Sequence, residues 1–179
     1  LFFVATDSLA GSELWASDGT TAGTVLVRDI RLGTSSSDPQ DLTAVGGTLY
    51  FTANDGVSGR ELWKSDGTSA GTVRVKDITP GSGSGINRFV RTSVGRQLFF
   101  QVTTGVFDAE LWQSDGTADG TTLVADLYPG PAGSDPAPLV AANGRLFFAA
   151  THPDVGRELW ALAVEGSSCA SVRGLSFRM

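Results

Sequence analysis

The chain holds a single cysteine, a single methionine and a single histidine among its 179 residues. One cysteine cannot close a disulfide within the chain, and one histidine with no cysteine beside it offers no zinc-ligand spacing. No apolar run reaches the 18 residues from which a membrane-spanning helix is read, so no membrane span is expected. Basic residues are scarce as well: Lys+Arg 13 against Asp+Glu 19 leaves a formal net charge of −6, with no local basic run. That removes the counterion release on which nucleic-acid binders depend, and no nucleic-acid partner is expected. Also absent is any sustained 3.6-residue apolar period, which argues against a helical bundle. Nothing matches a Ser-His-Asp frame, a P-loop or a dinucleotide fingerprint.

What is abundant is punctuation. Gly 23 and Pro 7 accompany a 41% hydrophobic and 18% charged composition, too apolar for a disordered chain and too interrupted for helices. A turn-rich β protein fits, and the length suits one domain over 1–179. Self-similarity then decides the architecture. Glu-Leu-Trp recurs at 13–15, 61–63, 110–112 and 158–160, at spacings of 48, 49 and 48 residues. Three copies are followed by an eight-residue block: Ser-Asp-Gly-Thr-Thr-Ala-Gly-Thr at 17–24, Ser-Asp-Gly-Thr-Ser-Ala-Gly-Thr at 65–72 and Ser-Asp-Gly-Thr-Ala-Asp-Gly-Thr at 114–121. Ten residues before each Glu stands a phenylalanine: Phe3, Phe51, Phe100 and Phe148.

In the second repeat four short runs read as strands, here lettered A to D: Asp41–Val45, Thr48–Ala53, Arg60–Lys64 and Thr72–Ile78. Gly46-Gly47 joins A to B and the Ser-Asp-Gly-Thr block joins C to D, both short enough to demand antiparallel neighbours. Four antiparallel strands at this period predict a β-propeller of about four blades, near 1–30, 40–78, 88–127 and 137–164. The ring is complete, part of a larger one, or shared between two chains. Stacked β-helix coils are the competitor, and tight hairpins inside each repeat argue against them.

The Glu-Leu-Trp-x-x-Asp-Gly-Thr pattern resembles the ELWxxDGT repeat, found in tandem arrays in secreted or surface bacterial proteins. The resemblance runs from Leu1 to about Trp160 and implies a repeat β-fold and a secreted or cell-surface location. It implies no particular reaction. The fourth copy departs from it: after Trp160 the chain reads Ala161-Leu162-Ala163-Val164-Glu165-Gly166, without the Asp-Gly-Thr turn.

A residue present in every blade is most simply a blade-building residue. Alternation places Glu13 and Trp15 on one face of strand C and Leu14 on the other, so both faces are packed. Trp15, Trp63, Trp112 and Trp160 are expected to be core, each removing roughly 150–250 Å² from water. Glu13, Glu61, Glu110 and Glu158 stand beside them and need donors, expected as backbone or hydroxyl groups of the next blade. Read instead as an acid/base pair, they lack the differing environments that would separate two pKa values. Asp18, Asp66 and Asp115 each precede a glycine and read as turn formers. Calcium is the one ion to weigh there, but a single Asp per turn falls short of its six to eight oxygens, and no cofactor is expected.

The two ends of such a blade differ. A–B and C–D turns are short and repetitive. At the other end lie the D–A links Arg31–Pro39, Thr79–Asn87 and Tyr128–Pro138, and the B–C links Asp7–Ser12, Asn54–Gly59, Thr103–Ala109 and Thr151–Gly156. Variation carried on a rigid scaffold predicts recognition at this second end, of a carbohydrate or a protein. Candidate ligand-binding residues are the non-repeated Asn54, Asp55, Arg91, Asp108, Tyr128 and His152; no catalytic or metal residue is assigned. Arg88, Arg91 and Arg96 surround the inner strand of repeat three, where Arg91 either replaces an apolar residue (Leu42, Leu139) or is turned outward by a bulge.

The first repeat begins at strand B and the fourth lacks a recognisable strand D, as in a processed product or a piece of a longer array. The alternating tail at 171–179, part of a closing segment at 165–179, is expected to supply strand A to the first blade or strand D to the fourth. Open blade edges would otherwise pair with a second copy, and Cys169 offers an intermolecular bond. The function that fits is an extracellular, non-catalytic binding or scaffold module. The alternatives are a propeller enzyme acting on polysaccharide in its central funnel and a self-assembling structural element.

Overall fold

The computed structural model describes residues 1–86, 90–103, 108–130, 132–164 and 174–175. Arg88, Cys169 and the tail at 165–179, apart from 174–175, lie outside the described residues. The described chain is all-β: fifteen strands in four antiparallel sheets, with no helix among the described residues. It divides into two compact units, Leu1–Gly85 and Ile86–Met179, each with two sheets.

In the first unit, β1 (Phe2–Asp7), β2 (Gly11–Ala16) and β3 (Val25–Arg28) make a three-stranded sheet. The second sheet is β4 (Gln40–Val45), β5 (Thr48–Asn54), β6 (Arg60–Ser65) and β7 (Val73–Arg74). The second unit holds β8 (Arg91–Val94), β9 (Gln97–Thr103), β10 (Ala109–Ser114) and β11 (Thr122–Ala125), then β12 (Leu139–Ala142), β13 (Arg145–His152), β14 (Gly156–Ala163) and β15 (Gly174–Leu175). In each four-stranded sheet, neighbours in space are neighbours in sequence, as tight hairpins require. The last strand comes from the tail: Leu175 pairs with Ala161 and Gly174 with Leu162, beside the fourth C strand.

Strand D is much shorter than the expected Thr72–Ile78, since β7 covers only Val73–Arg74. A single further ladder bond, Val75 N–H to Leu62 O at 2.8 Å, extends it. Beyond that bond the Ile78 and Thr79 amides donate to a side chain, Glu61, and the ladder ends.

One packing rule is shared by the two units. Register places Phe3 opposite Trp15, Phe51 opposite Trp63, Phe100 opposite Trp112 and Phe148 opposite Trp160, so each sheet has a Phe–Trp face and, one residue out of phase, a Leu face. In the first unit Leu14 and Val27 of the first sheet pack against Phe51, Ala53 and Trp63 of the second. In the second unit Leu111 and Phe99 of the earlier sheet meet Phe148, Ala150 and Trp160 of the later one. The Leu face of one sheet therefore receives the Trp face of the next, and the same contact is made twice.

The tryptophans are not equally deep, contrary to the expectation of a uniform core set. Trp63 is buried, whereas Trp15, Trp112 and Trp160 are half-buried. The deepest residues are the leucines between Glu and Trp (Leu14, Leu62 and Leu111) together with Phe51, Phe99 and Phe100. An indole is long enough to reach from the packed interior to the sheet margin, and a leucine at the centre of the contact is not.

Candidate functional site

Every Ser-Asp-Gly-Thr turn closes on its own side chains. In the first, Asp18 Oδ1 accepts from the Thr20 amide (2.9 Å) and the Thr20 hydroxyl (2.8 Å). Thr20 Oγ1 in turn accepts from Gly23 N–H at 2.9 Å, and the Thr24 hydroxyl donates to Thr20 O at 2.7 Å. Ser17 Oγ accepts from Gly19 N–H and lies 2.7 Å from Thr24 Oγ1. The same bonds recur around Asp66 and Asp115. Gly23, Gly71 and Gly120 are required by space, since a Cβ there would overlap the Asp carboxylate. The Thr20 and Thr68 donors hold the Asp18 and Asp66 carboxyls below the usual range. Three aspartates are thus occupied with turn geometry. Among the described residues, no group of three or more His, Cys, Asp or Glu side chains could hold a metal ion.

The glutamates build a larger device that spacing alone does not reveal. Glu13 is fully buried and accepts four hydrogen bonds: from the Ile30 amide (3.2 Å), the Arg31 amide (3.3 Å), the Ser37 amide (3.0 Å) and the Ser37 hydroxyl (2.5 Å). Glu110 accepts from the Leu127 amide (3.5 Å), the Ser134 amide (2.7 Å) and the Ser134 hydroxyl (2.6 Å). The donors sit in the link that leads to the next sheet, at Glu+17, +18 and +24, rather than in the next blade proper. An arginine from the following sheet grips the same link: Arg60 donates to Asp38 O at 2.8 Å, and Arg157 to Asp135 O at 3.1 Å and Ala137 O at 2.7 Å. Each of these two links between stacked sheets is therefore held by a Glu behind it and an Arg ahead of it.

Glu61 occupies the same place with one donor fewer. It accepts from the amides of Ile78 (3.1 Å), Thr79 (3.3 Å) and Gly85, but Glu+24 is here a glycine and no hydroxyl is supplied. Thr79 Oγ1 is buried without a hydrogen-bond partner among the described residues. Burial pushes the Glu61 carboxyl up to about 7, with Asp77 adding to the rise against the pull of the three amides. Burial also raises Glu110, opposed first by the Ser134 hydroxyl. Glu158 differs again: it is exposed.

The candidate ligand residues are scattered over the two units. Asn54 Oδ1 accepts from Gly56 N–H, and Asp55 Oδ1 from the Val57 and Ser58 amides, so both shape their own loop. Burial works to raise Asp55, but those amides and Arg74, at 3.7 Å, outweigh it and hold the carboxyl low. Asp7 repeats the arrangement in the first repeat, accepting from Leu9 and Ala10. His152 lies with its ring centroid 6.1 Å from that of Trp160, and its Nδ1 accepts from the Asp154 amide at 3.2 Å. Tyr128 stands at Glu110+18, half-buried at the start of its link, and Asp108 is half-buried beside Ala109. Arg91 sits opposite Phe100, as Leu139 sits opposite Phe148, in a strand pair with no register shift. It therefore takes the apolar position, and the bulge lies in the second repeat, between Gln40 and Thr43. The extra residue of the 49-residue repeat falls before the strand, between Gly85 and Arg91.

The B–C and D–A links do meet within the first unit. A Cβ at Gly11 would fall 2.7 Å from Ser35 O, one at Gly56 2.9 Å from Arg31 Nε, and one at Gly59 would overlap Gly83 O. These glycines let the loops touch. Leu9, Leu32 and Val57 stand exposed on the same links.

No protein-family model matches the chain, and no curated protein matches it. Among solved structures, the chain is similar to the crystal structure of a puromycin hydrolase mutant complexed with PGG, at 16% identity and a TM-score of 0.56. That match covers 90% of this chain but spans only a quarter (25%) of the hydrolase, and at such identity it speaks for the fold alone.

Proposed function

We propose that the four sheets are blades of a β-propeller-type array acting as a non-catalytic recognition scaffold, whose B–C and D–A links meet a carbohydrate or protein partner outside the cell. The observation that carries this reading is the division of labour between the loops' atoms. Their polar groups, Asp7, Asn54 and Asp55, bind their own backbone, while non-repeated aliphatic tips, Leu9, Leu32 and Val57, are left to solvent. Rigid loops with outward apolar side chains lose little entropy on binding and present a surface for contact. The repeated carboxylates support the same reading, because three of the four glutamates hold links together and the repeated aspartates close turns. The stacking of Leu face on Trp face in both units favours a propeller, since such a contact propagates from blade to blade.

A glycan array combined with a polysaccharide-degradation screen tests the reading. Retention of a glycan without cleavage, lost when Asn54–Gly59 is exchanged for Thr151–Gly156, is the expected result. Turnover of any polysaccharide, or binding indifferent to that exchange, would overturn it.

A further inference from the structure

The sequence holds one asparagine–glycine pair, Asn143-Gly144, and five aspartate–glycine pairs, at 18–19, 55–56, 66–67, 115–116 and 119–120. All six carry the elements of one reaction. A main-chain nitrogen can attack the side-chain carbonyl carbon of the residue before it, and glycine has no Cβ to hinder the approach. The fold treats the six differently. In every aspartate pair the glycine amide already donates to a side chain: Gly19 to Ser17 Oγ, Gly67 to Ser65 Oγ and Gly116 to Ser114 Oγ, each at 3.0 Å, Gly56 to Asn54 Oδ1 at 2.7 Å and Gly120 to Thr117 Oγ1 at 2.9 Å. The carboxylates of Asp18, Asp66 and Asp115 are bound to a threonine, and that of Asp55 to the Val57 and Ser58 amides. An ionised carboxylate is also a poor electrophile, which a neutral amide is not.

Asn143 is held by none of these bonds. With Gly144 it forms the two-residue turn between β12 and β13, closed by the pairing of Ala142 with Arg145. The φ values of 51° and 70° are the two left-handed residues that such a hairpin needs, and a short polar side chain tolerates one where the other repeats use Gly46 or Gly95. Both residues are exposed, and a Cβ on Gly144 would meet nothing within 4 Å. The equivalent turns Gly46-Gly47 and Gly95-Arg96 are exposed as well, so the openness belongs to this hairpin tip in each sheet that has it. Neither the Asn143 side chain nor the Gly144 N–H makes a hydrogen bond among the described residues; the Gly144 carbonyl accepts from Val164 N–H at 3.2 Å.

We propose that Asn143 is a site of spontaneous covalent modification, and that the turns around the aspartate–glycine pairs protect those pairs from the same chemistry. The Gly144 nitrogen gives its proton to solvent base and bonds to Asn143 Cγ; the Cγ–Nδ2 bond breaks and ammonia leaves, closing a five-membered succinimide. Water then opens the ring at either carbonyl, which yields an aspartate or an isoaspartate whose main chain runs through the former side chain. Nothing is oxidised or reduced. The tip gains one negative charge and, in the isoaspartate, one additional main-chain atom between β12 and β13. This goes beyond the recognition role and does not depend on it.

Peptide mapping of the whole folded chain, held in mildly alkaline buffer and sampled over time, tests the proposal. The tryptic peptide 97–145 carries Asn143, Asp115 and Asp119 together, and electron-transfer fragmentation distinguishes their isomers. A gain of one mass unit confined to Asn143 is expected, with isoaspartate in the product and ammonia released in step. Asn54 should keep its amide, and the five aspartates should isomerise only when the same buffer contains unfolding urea. Asn143→Gly, which copies the Gly46-Gly47 turn, should abolish both the mass gain and the ammonia with an unchanged circular dichroism spectrum. A folded chain that keeps the Asn143 amide while the urea-unfolded chain loses it overturns the proposal. So does loss of the Asn54 amide, or isomerisation of the aspartates in the folded chain, at the pace of Asn143.

Discussion

The cradles around Glu13 and Glu61 are the same device in two states of completion. Both carboxylates are fully buried, both draw amides from residues 17 and 18 further on, and both tie down the link to the next sheet. Of the groups that reach the carboxylate they differ in one, the Ser37 hydroxyl, which Gly85 lacks. Where the serine is present, its hydroxyl reaches the carboxylate at 2.5 Å. Where it is missing, burial carries the carboxyl up to about 7, and the Thr79 hydroxyl has no hydrogen-bond partner among the described residues. Burial raises both Glu61 and the serine-bearing Glu110, so the hydroxyl opposes the rise without cancelling it, and at about 7 the Glu61 carboxyl is part-protonated at neutral pH.

The most drastic way to break this comparison is to empty the complete cradle. Glu13→Ala leaves three amides and a hydroxyl without an acceptor, and at about 1–3 kcal/mol for each group left buried and unsatisfied the loss should reach about 3 kcal/mol or more even after partial relaxation. Urea unfolding monitored by tryptophan fluorescence should show it as a lowered midpoint. An unchanged midpoint would mean that the links hold without the carboxylate.

An effect of similar total size, spread over more than two pH units, is expected from pH. The folded Glu61 carboxyl titrates at about 7 and an unfolded glutamate near 4.5, so between these values the folded state alone holds the proton and unfolding releases it. Stability is then fully present below pH 4.5, falls by about 1.4 kcal/mol per pH unit through the window and is level above 7 as far as this group is concerned. Unfolding free energies measured across that window should lose this downward slope in Glu61→Gln. A slope that survives the substitution would assign it to another group.

The mildest test sharpens the comparison by repairing it. Gly85→Ser restores the missing hydroxyl donor, provided Thr79 Oγ1, which a Cβ would approach to 2.9 Å, rotates aside. The gain should be about 1 kcal/mol at neutral pH, with the Glu61 titration moving down. Ser134→Gly should do the reverse to Glu110, and NMR titration of the two carboxyls reads both shifts.

Much of the repeating sheet was legible from spacing alone. Glu-Leu-Trp marks β2, β6, β10 and β14, and each phenylalanine ten residues earlier is the cross-strand partner of a tryptophan because a hairpin fixes the register. The eight-residue block became a turn in every copy that has it. The short strand D was not legible, since Val73–Ile78 alternates as a strand should and only the capture of Ile78 and Thr79 by Glu61 ends it. Nor was the uneven depth of the tryptophans, which depends on what covers each sheet. The missed residues Ser37 and Ser134 carry a signal in the sequence: each stands 24 residues after its Glu and opens a Ser-Asp-Pro tripeptide, at 37–39 and 134–136. At the loop end Asn54 and Asp55 look like ligand groups for the same reason they make good turns, which is that a short side chain can bind its own backbone.

Because the acceptor of each latch lies in one repeat and its donors in the stretch leading to the next, the natural increment of this molecule is not the sheet but the sheet together with its outgoing tether. A duplication that copies about one repeat length in any frame copies a whole latch, and the new segment arrives already fastened to its successor. An array built this way can lengthen without redesign at the junctions, leaving only the outward loops to diversify.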